Sequence, residues 1–174
     1  AQGGTNNSNA SVGNPNGTNA MTDAGLGQIS SNFVGVQGGL TYKWFSLNLG
    51  YNSVWGPQSA YGNGGIVSPY TYGFATDPLY TTGWIQGMVE RSSGQAYKIA
   101  PSLTLLDNNL VIAPSYQYYA TTLIPASSEY DIQVSYSIPQ VKGLTFFGGY
   151  GYVTDADPDG NGVYQAQLMV SYLY

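Results

Sequence analysis

The sequence predicts an all-β fold, an antiparallel transmembrane β-barrel of the outer-membrane type. Only 7% of the residues are charged, against about a quarter in an average soluble domain. The chain has 17 Tyr and 24 Gly residues, and its apolar and polar residues alternate, as in strands that face two different solvents. No run of about 18 apolar residues occurs, so a transmembrane helix is not predicted.

Residues 1–31 are a low-complexity stretch of Gly, Asn, Ser, Thr and Ala. This composition cannot bury enough apolar surface to offset the entropy lost on ordering. We therefore expect residues 1–31 to form an external loop or a tail. The strands are expected within residues 32–174.

Alternation with a period of two predicts the strands, most clearly at the end of the chain. There, Tyr, Ala, Leu and Val alternate with Gln165, Gln167 and Met169 over residues 164–174, a length that suits a tilted strand crossing a bilayer. The same pattern predicts seven strands, at residues 32–43, 45–55, 96–106, 109–121, 130–140, 143–154 and 164–174. Pro101 and Pro114 fall inside two of them, and we expect β-bulges there because proline has no N–H for the ladder.

Charged residues inside these strands lie on the polar side of the alternation. Lys43, Lys98 and Asp131 all follow this rule, and a charge facing lipid near the midplane would cost about 2–4 kcal/mol. A half-exposed soluble sheet predicts the same sorting. On the barrel interpretation, the predicted pore-lining residues are Lys43, Lys98, Asp131, Gln133, Gln165 and Gln167.

Short and long connections alternate between the predicted strands, as in outer-membrane barrels with tight periplasmic turns and longer external loops. The final strand then ends in the periplasm, and residue 32 starts outside. Bacterial barrels have an even strand number, whereas seven strands, or nine with a hairpin hidden in residues 56–95, is odd. The parity predicts the C-terminal part of a larger barrel. An unrecognised eighth strand and a soluble sheet are the alternatives.

Three stretches resemble the OprD-like porin family. The chain ends in Tyr174 with hydrophobic residues at every second position before it. Residues 64–99, GGIVSPYTYGFATDPLYTTGWIQGMVERSSGQAYKI, resemble a long loop and returning strand of that family. Residues 129–153 resemble its penultimate hairpin, in which a Lys-Gly-Leu sequence, here residues 142–144, follows the tight turn.

The resemblance implies a monomeric or trimeric barrel of 16 to 18 strands, of which this chain would supply about 7–9. It also implies passive diffusion of small polar or charged solutes, narrowed by loops folded into the lumen. The chain departs from the family in one respect. Such porins carry a ladder of basic residues in the pore, and here only Lys43, Lys98 and Arg91 are candidates.

The segment 56–95 is longer than an ordinary connection between strands, and such long loops are usually functional or disordered. Its aromatic content argues against disorder. We predict a constriction loop in which Asp77, Glu90 and Arg91 set the local electric field, as charged rings do in other channels. The alternative is a loop that packs over the barrel mouth or at a subunit interface, with its charges facing water.

The sequence DADPDGNG, residues 155–162, has oxygen-bearing residues at alternate positions on a predicted tight turn. Asp155, Asp157, Asp159 and Asn161 match the first half of an EF-hand calcium loop. Ala166 stands where that loop has its bidentate acid. A plain hairpin loop is therefore the first interpretation, and a calcium site is the second.

Other functional classes are poorly supported by the composition. The four Lys and Arg residues cannot form the basic face that nucleic-acid binding requires. Without His or Cys, the chain lacks the usual general bases and thiol nucleophiles, so we do not expect an enzyme. The many Tyr residues suit interfacial girdles better than a sugar-binding platform.

The predicted function is that of a bacterial outer-membrane porin for passive diffusion of small hydrophilic solutes and ions. Its expected partners are outer-membrane lipid, lipopolysaccharide and the solutes, together with a possible homotrimer. No cofactor is expected apart from the possible Ca²⁺. The alternative is a secreted or surface-exposed β-rich adhesive or structural protein with a calcium-binding loop.

Overall fold

A computed structural model describes residues 2–11, 28–66, 79–88, 92–123, 125–154 and 161–173. They form one sheet of eight antiparallel strands in chain order. The strands are β1 (Gln2–Ser11), β2 (Gln28–Tyr42), β3 (Phe45–Trp55), β4 (Gly94–Leu105), β5 (Leu110–Thr121), β6 (Ser127–Ser137), β7 (Leu144–Val153) and β8 (Val163–Tyr172). A short 3-10 helix occupies Tyr61–Asn63. Among these residues, no helix is long and apolar enough to cross a membrane.

The prediction of an antiparallel all-β fold is confirmed. Each of the seven predicted strands corresponds to one of β2 to β8, with ends shifted by a few residues. The sheet is open, because β1 and β8 are its two edges and do not pair with each other in the part of the chain that the structure describes. Closure into a barrel therefore stays a prediction.

Strands β1 and β2 correct the prediction of a loop or tail for residues 2–11 and 28–31, and the rest of the predicted 1–31 segment lies outside the described residues. Gln2–Ser11 pairs antiparallel with β2, and β2 itself begins at Gln28. A backbone ladder needs no apolar side chains, so a polar, low-complexity segment can extend a sheet along an existing strand. The described residues thus contain eight strands, which agrees with the alternative of an unrecognised eighth strand, and the predicted count of seven does not hold for them.

The connections differ in length between the two ends of the sheet. At one end, the turn end, residues 43–44, 106–109 and 138–143 join successive strands. At the other end, the loop end, the connections are residues 12–27, 56–93, 122–126 and 154–162. The long connection 56–93 corresponds to the predicted loop 56–95. Its residues 79–88 lie against one face of the sheet.

The two prolines inside strands produce no register shift. Pro101 pairs with Leu47 of β3, and Pro114 pairs with Ile132 of β6. Between β4 and β5, the same register continues on both sides of the prolines, from Ile99↔Tyr116 to Leu103↔Ile112. The predicted bulges are therefore wrong. The prolines face each other, so their missing N–H groups interrupt the ladder at one place only.

One face of the sheet, the apolar face, carries large exposed hydrophobic side chains on β2, β3, β4, β6, β7 and β8, and partly buried ones on β5. Leu168 is 91% exposed and Tyr164 is 72% exposed. Aliphatic residues occupy the middle of this face: Leu47, Leu49, Ile99, Leu103, Ile112, Ile132, Val134 and Leu168. Aromatic residues occupy both ends of the strands. Those near the loop end are Tyr51, Tyr97, Tyr116, Tyr118, Tyr130, Tyr152 and Tyr164, and those near the turn end are Tyr42, Trp44, Phe45, Tyr136, Phe146 and Tyr172.

The opposite face, the covered face, is partly overlaid by residues 79–88. A small hydrophobic cluster lies between them and the sheet at the loop end: Val54, Ile66, Leu79, Met88, Ala96 and Tyr119, with Phe33 against it. Polar side chains are buried on the same face, including Asn52, Gln117, Glu129 and Asp131. The buried face of the sheet is thus mainly polar, and its exposed face is apolar.

The turn between β6 and β7 gives the first testable prediction. Gly143 has φ +86°, and a Cβ there would collide with the carbonyl oxygen of Leu173, a backbone atom. We expect Gly143→Ala to lower the free energy of unfolding by about 1–3 kcal/mol, measured as a shift of the urea midpoint in detergent micelles. Gly38→Ala is the matched control, because nothing lies within 4 Å of its added Cβ. Equal midpoints for the two variants would contradict the turn geometry.

Candidate functional site

Residues 79–88, named here the crossing segment, lie across the covered face from β3 to β7. Glycines make room for the segment. A Cβ at Gly149 would lie 2.5 Å from the Trp84 ring, and one at Gly151 would lie 2.8 Å from Ile85. At Gly50, a Cβ would lie 2.8 Å from a carbonyl oxygen of the segment. These glycines on β3 and β7 let the segment approach the backbone of the sheet.

Glu129 of β6 is the main anchor of the crossing segment. Its side chain is fully buried. One carboxylate oxygen accepts the Ile85 N–H at 2.5 Å, and the other accepts the Gln86 N–H at 2.9 Å. Hydrogen bonds to a carboxylate are about twice as strong as neutral ones. A single side chain therefore fixes two successive peptide groups of the segment.

Asp131 lies two residues further along the same strand and is also buried. Its Oδ2 accepts the Ser115 hydroxyl at 3.0 Å, the Gln117 amide at 3.2 Å and the Trp84 N–H at 3.4 Å. Its Oδ1 has no hydrogen-bond partner among the described residues. Asp131 thus links β5 and β6 to the middle of the crossing segment.

Tyr119 of β5 satisfies backbone groups at both ends of a bend in the segment. Its hydroxyl accepts the Gly83 N–H at 3.0 Å. The same hydroxyl lies 2.9 Å from the Thr81 carbonyl and 3.0 Å from the Gln86 carbonyl, to either of which it can donate. The Gly83 N–H also reaches the Gln86 carbonyl at 2.8 Å, which closes the bend.

Two further side chains complete the attachment. Asn52 of β3 accepts the Thr81 N–H at 3.1 Å and the Thr81 hydroxyl at 3.2 Å. The ammonium of Lys98, on β4, donates to the Thr82 carbonyl at 2.5 Å. Peptide groups that are buried outside a strand or helix need such partners. Strands β3 to β6 therefore supply side-chain partners where the segment has no ladder of its own.

The predicted pore-lining residues divide into three groups. Lys98 and Asp131 lie beneath the crossing segment. Gln133, Gln165 and Gln167 lie on the same face, and the last two are exposed. Lys43 differs from the predicted strand position. It lies in the exposed turn between β2 and β3, with its ammonium 5.1 Å from the centre of the Tyr42 ring.

The other predicted site residues lie largely outside the described residues. This holds for Asp77, Glu90 and Arg91 of the predicted constriction loop. It also holds for Asp155, Asp157 and Asp159 of the predicted calcium loop, where only Asn161 is described. Within the described residues, no cluster of three or more His, Cys, Asp or Glu residues could hold a metal ion.

Sequence reasoning missed Glu129, Tyr119 and Asn52 as anchors. A signal for Glu129 was present, because residues 129, 131 and 133 share one parity and a strand charge is rare in this chain. The predicted strand began at residue 130 and so left Glu129 out, although β6 begins at Ser127. The contacts of Tyr119 and Asn52 depend on the path of the crossing segment, which no local pattern encodes.

Comparisons with protein-family models, with curated proteins and with solved structures find no match to this chain. The resemblance to OprD-like porins therefore stays a prediction.

The attachment through Glu129 gives the second prediction. Glu129→Ala leaves the N–H groups of Ile85 and Gln86 without their acceptors, at a cost of about 1–3 kcal/mol for each buried donor. We expect at least tenfold faster hydrogen exchange at residues 83–86, measured by mass spectrometry, with exchange in β6 and β7 unchanged. Glu129→Gln is the matched variant, because its amide oxygen retains one acceptor, and its effect should be intermediate. Unchanged exchange in Glu129→Ala would show that the carboxylate does not hold the segment.

Proposed function

We propose that this chain forms part of the wall of a bacterial outer-membrane porin, through which small hydrophilic solutes and ions diffuse passively. The observation that carries the proposal is the polarity of the sheet. Its apolar face is exposed on six of the strands β2 to β8 and partly buried on β5, while Asn52, Gln117, Glu129 and Asp131 are buried on the other face.

This polarity is the reverse of that of a water-soluble sheet. Antiparallel sheets in water pack their apolar face on the core and expose their polar face. Soluble proteins also seldom expose a contiguous apolar patch of more than a few hundred Å². A sheet whose apolar side faces lipid and whose polar side faces a lumen accounts for both features, and this is the arrangement of outer-membrane barrels.

The aromatic residues support a bilayer as the apolar environment. Tyr130 and Tyr136 lie six residues apart on β6, which is about 20 Å along a strand at ~3.3 Å per residue. Aliphatic residues fill the interval on the same face. Rows of Tyr and Trp on both sides of an apolar band match the interfacial girdles of transmembrane barrels. The exposed apolar face would then contact outer-membrane lipid and lipopolysaccharide.

The crossing segment favours a barrel of more than eight strands. A closed barrel of about eight strands has an interior that side chains alone can fill. Here the covered face carries side chains and also ten residues of main chain, held against β3 to β7. A closed barrel that encloses this segment needs more strands, which agrees with the 16 to 18 strands that the resemblance implies.

The same segment supports a narrowed passage. Its backbone is hydrogen-bonded to the side chains of Asn52, Lys98, Tyr119, Glu129 and Asp131. In a barrel it would therefore project from the wall into the lumen at a fixed position. Asp77, Glu90 and Arg91 adjoin the two ends of the segment in the sequence and remain candidates for the charges at the constriction. The proposal involves no covalent step, and both the calcium loop and the homotrimer stay predictions.

A matched pair of substitutions on β8 tests the lipid-facing assignment. Leu168 and Gln167 are adjacent and lie on opposite faces. We expect Leu168→Arg to lower the free energy of unfolding, measured in lipid vesicles, by about 2–4 kcal/mol, since it places a charge in the apolar band. Gln167→Arg should have little effect. Both residues are exposed, so in a water-soluble sheet neither arginine would matter, and equal stabilities would contradict the proposal.

Ion conductance is the direct test of the proposed function. We expect the purified porin that contains this chain to require detergent and to produce discrete current steps when it is added to a planar lipid bilayer. Glu129→Ala should widen the distribution of step sizes, because it loosens the crossing segment. A protein that stays dispersed without detergent and conducts no ions would instead favour a secreted or surface-exposed β-rich adhesive protein.

A further inference from the structure

We propose that Trp84 and Phe147, together with Gln133 and Gln167, form a saccharide-binding subsite on the covered face. The inference rests on the proposed function, because it assigns a solute class to the same lumen wall. It names a neutral, polyhydroxylated ligand rather than a charged one.

The rings of Trp84 and Phe147 form a pair on the covered face, in contact across β7. The rings of Trp84 and Phe147 are 6.5 Å apart between centroids and nearly perpendicular, at 85°. Each residue is only partly buried. Edge-to-face ring pairs of this kind form a stable apolar surface. The C–H faces of a pyranose ring can pack on such a surface.

Two features fix the position of Trp84 on the sheet: the contact of its ring with β7 and the hydrogen bonds of the crossing-segment backbone. Its ring lies directly over Gly149, where a Cβ would approach it to 2.5 Å. The backbone N–H of Trp84 donates to Asp131, and the backbone N–H of the next residue, Ile85, donates to Glu129. The aromatic surface is therefore held in place before any ligand arrives, which reduces the entropy lost on binding.

Two amide side chains flank the rings. Gly149, under the Trp84 ring, pairs directly with Gln133 on one side and with Gln167 on the other. Gln133 is partly buried and Gln167 is exposed. Each primary amide offers two donors and one acceptor oxygen, which suits sugar hydroxyls because these both donate and accept. Apolar and aromatic surface with a few placed polar groups is the usual make-up of a small-molecule site.

The charged side chains of the covered face bind the crossing segment and are not part of the proposed subsite. Within the described strands, Lys98, Glu129 and Asp131 are the charged residues, and all three bind the backbone of the crossing segment. From Gln133 towards the turn end, the polar side chains of the covered face are uncharged: Ser46, Ser102, Thr104, Ser135, Ser137, Thr145 and Ser171. A wall of hydroxyl and amide groups favours a neutral hydrophilic solute over an ion.

Channel block by a neutral oligosaccharide is the experiment that tests the subsite. The porin that contains this chain is inserted in a planar bilayer, and maltotriose is titrated at constant salt. We expect a saturable decrease of the ion current. Trilysine and triaspartate serve as charged probes of comparable length. Saturable block by either peptide at the same concentrations as maltotriose would overturn the assignment to neutral sugars.

Two variants connect the block to the subsite. Phe147→Leu retains an apolar side chain but removes the ring, and Gln167→Leu removes an exposed amide. Each should raise the half-blocking concentration of maltotriose about tenfold, as expected for the loss of one such contact, with the block expressed relative to the sugar-free current of the same variant. Met169→Leu is the matched control, since Met169 pairs with Phe147 and carries no ring or amide. A block equally strong in all three variants would overturn the subsite.

Failure of the proposed function is distinguishable from failure of the subsite. A protein that conducts ions without any block by maltotriose remains a porin and lacks the subsite. If it conducts no ions, binding is read from fluorescence instead. The chain has three Trp residues, so Trp44→Phe with Trp55→Phe leaves Trp84 as the sole indole. A saturable change of its emission with maltotriose supports the subsite, and an unchanged emission overturns it.

Discussion

The structure depends on one constraint, that a peptide segment lying outside any strand or helix must find hydrogen-bond partners when it is buried. Residues 79–88 cross the sheet in this condition. Side chains of Asn52, Lys98, Tyr119, Glu129 and Asp131 supply the partners. This requirement explains why the covered face carries buried polar side chains, while most of the large apolar side chains of β2 to β8 lie on the opposite face.

Much of the fold could be predicted from the sequence because a strand has a period of two that appears in local composition. Strands β2 to β8 follow from that period alone, and Tyr130, Ile132 and Val134 alternate with Asp131 and Gln133 in β6. Strand β1 could not be found this way. Its pairing depends on the edge of β2, a long-range partner, and its own side chains carry no alternation.

The candidate site was less predictable for a related reason. Parity correctly places Lys98, Asp131, Gln133, Gln165 and Gln167 on one face. Parity cannot tell which of these side chains are covered by the crossing segment and which are exposed, since this depends on the path of residues 79–88 over the sheet. Gly149 and Gly151 are the nearest local signal of that path, because successive positions on one face of a strand that lack side chains mark a close backbone approach. Lys43 was misplaced because a two-residue turn began one position earlier than the alternation indicated.

In the proposed channel, anchoring and solute recognition are coupled through the crossing segment. Glu129 binds the N–H of Ile85, and Asp131 faces the N–H of Trp84, so the two carboxylates determine where the indole ring lies over Gly149. The charged groups of this wall thus act on a solute through the position of an aromatic ring, since their hydrogen bonds are directed at backbone amides. If the proposed function and subsite hold, such a channel would discriminate by shape and hydroxyl pattern, and its selectivity for ion charge would come from residues elsewhere.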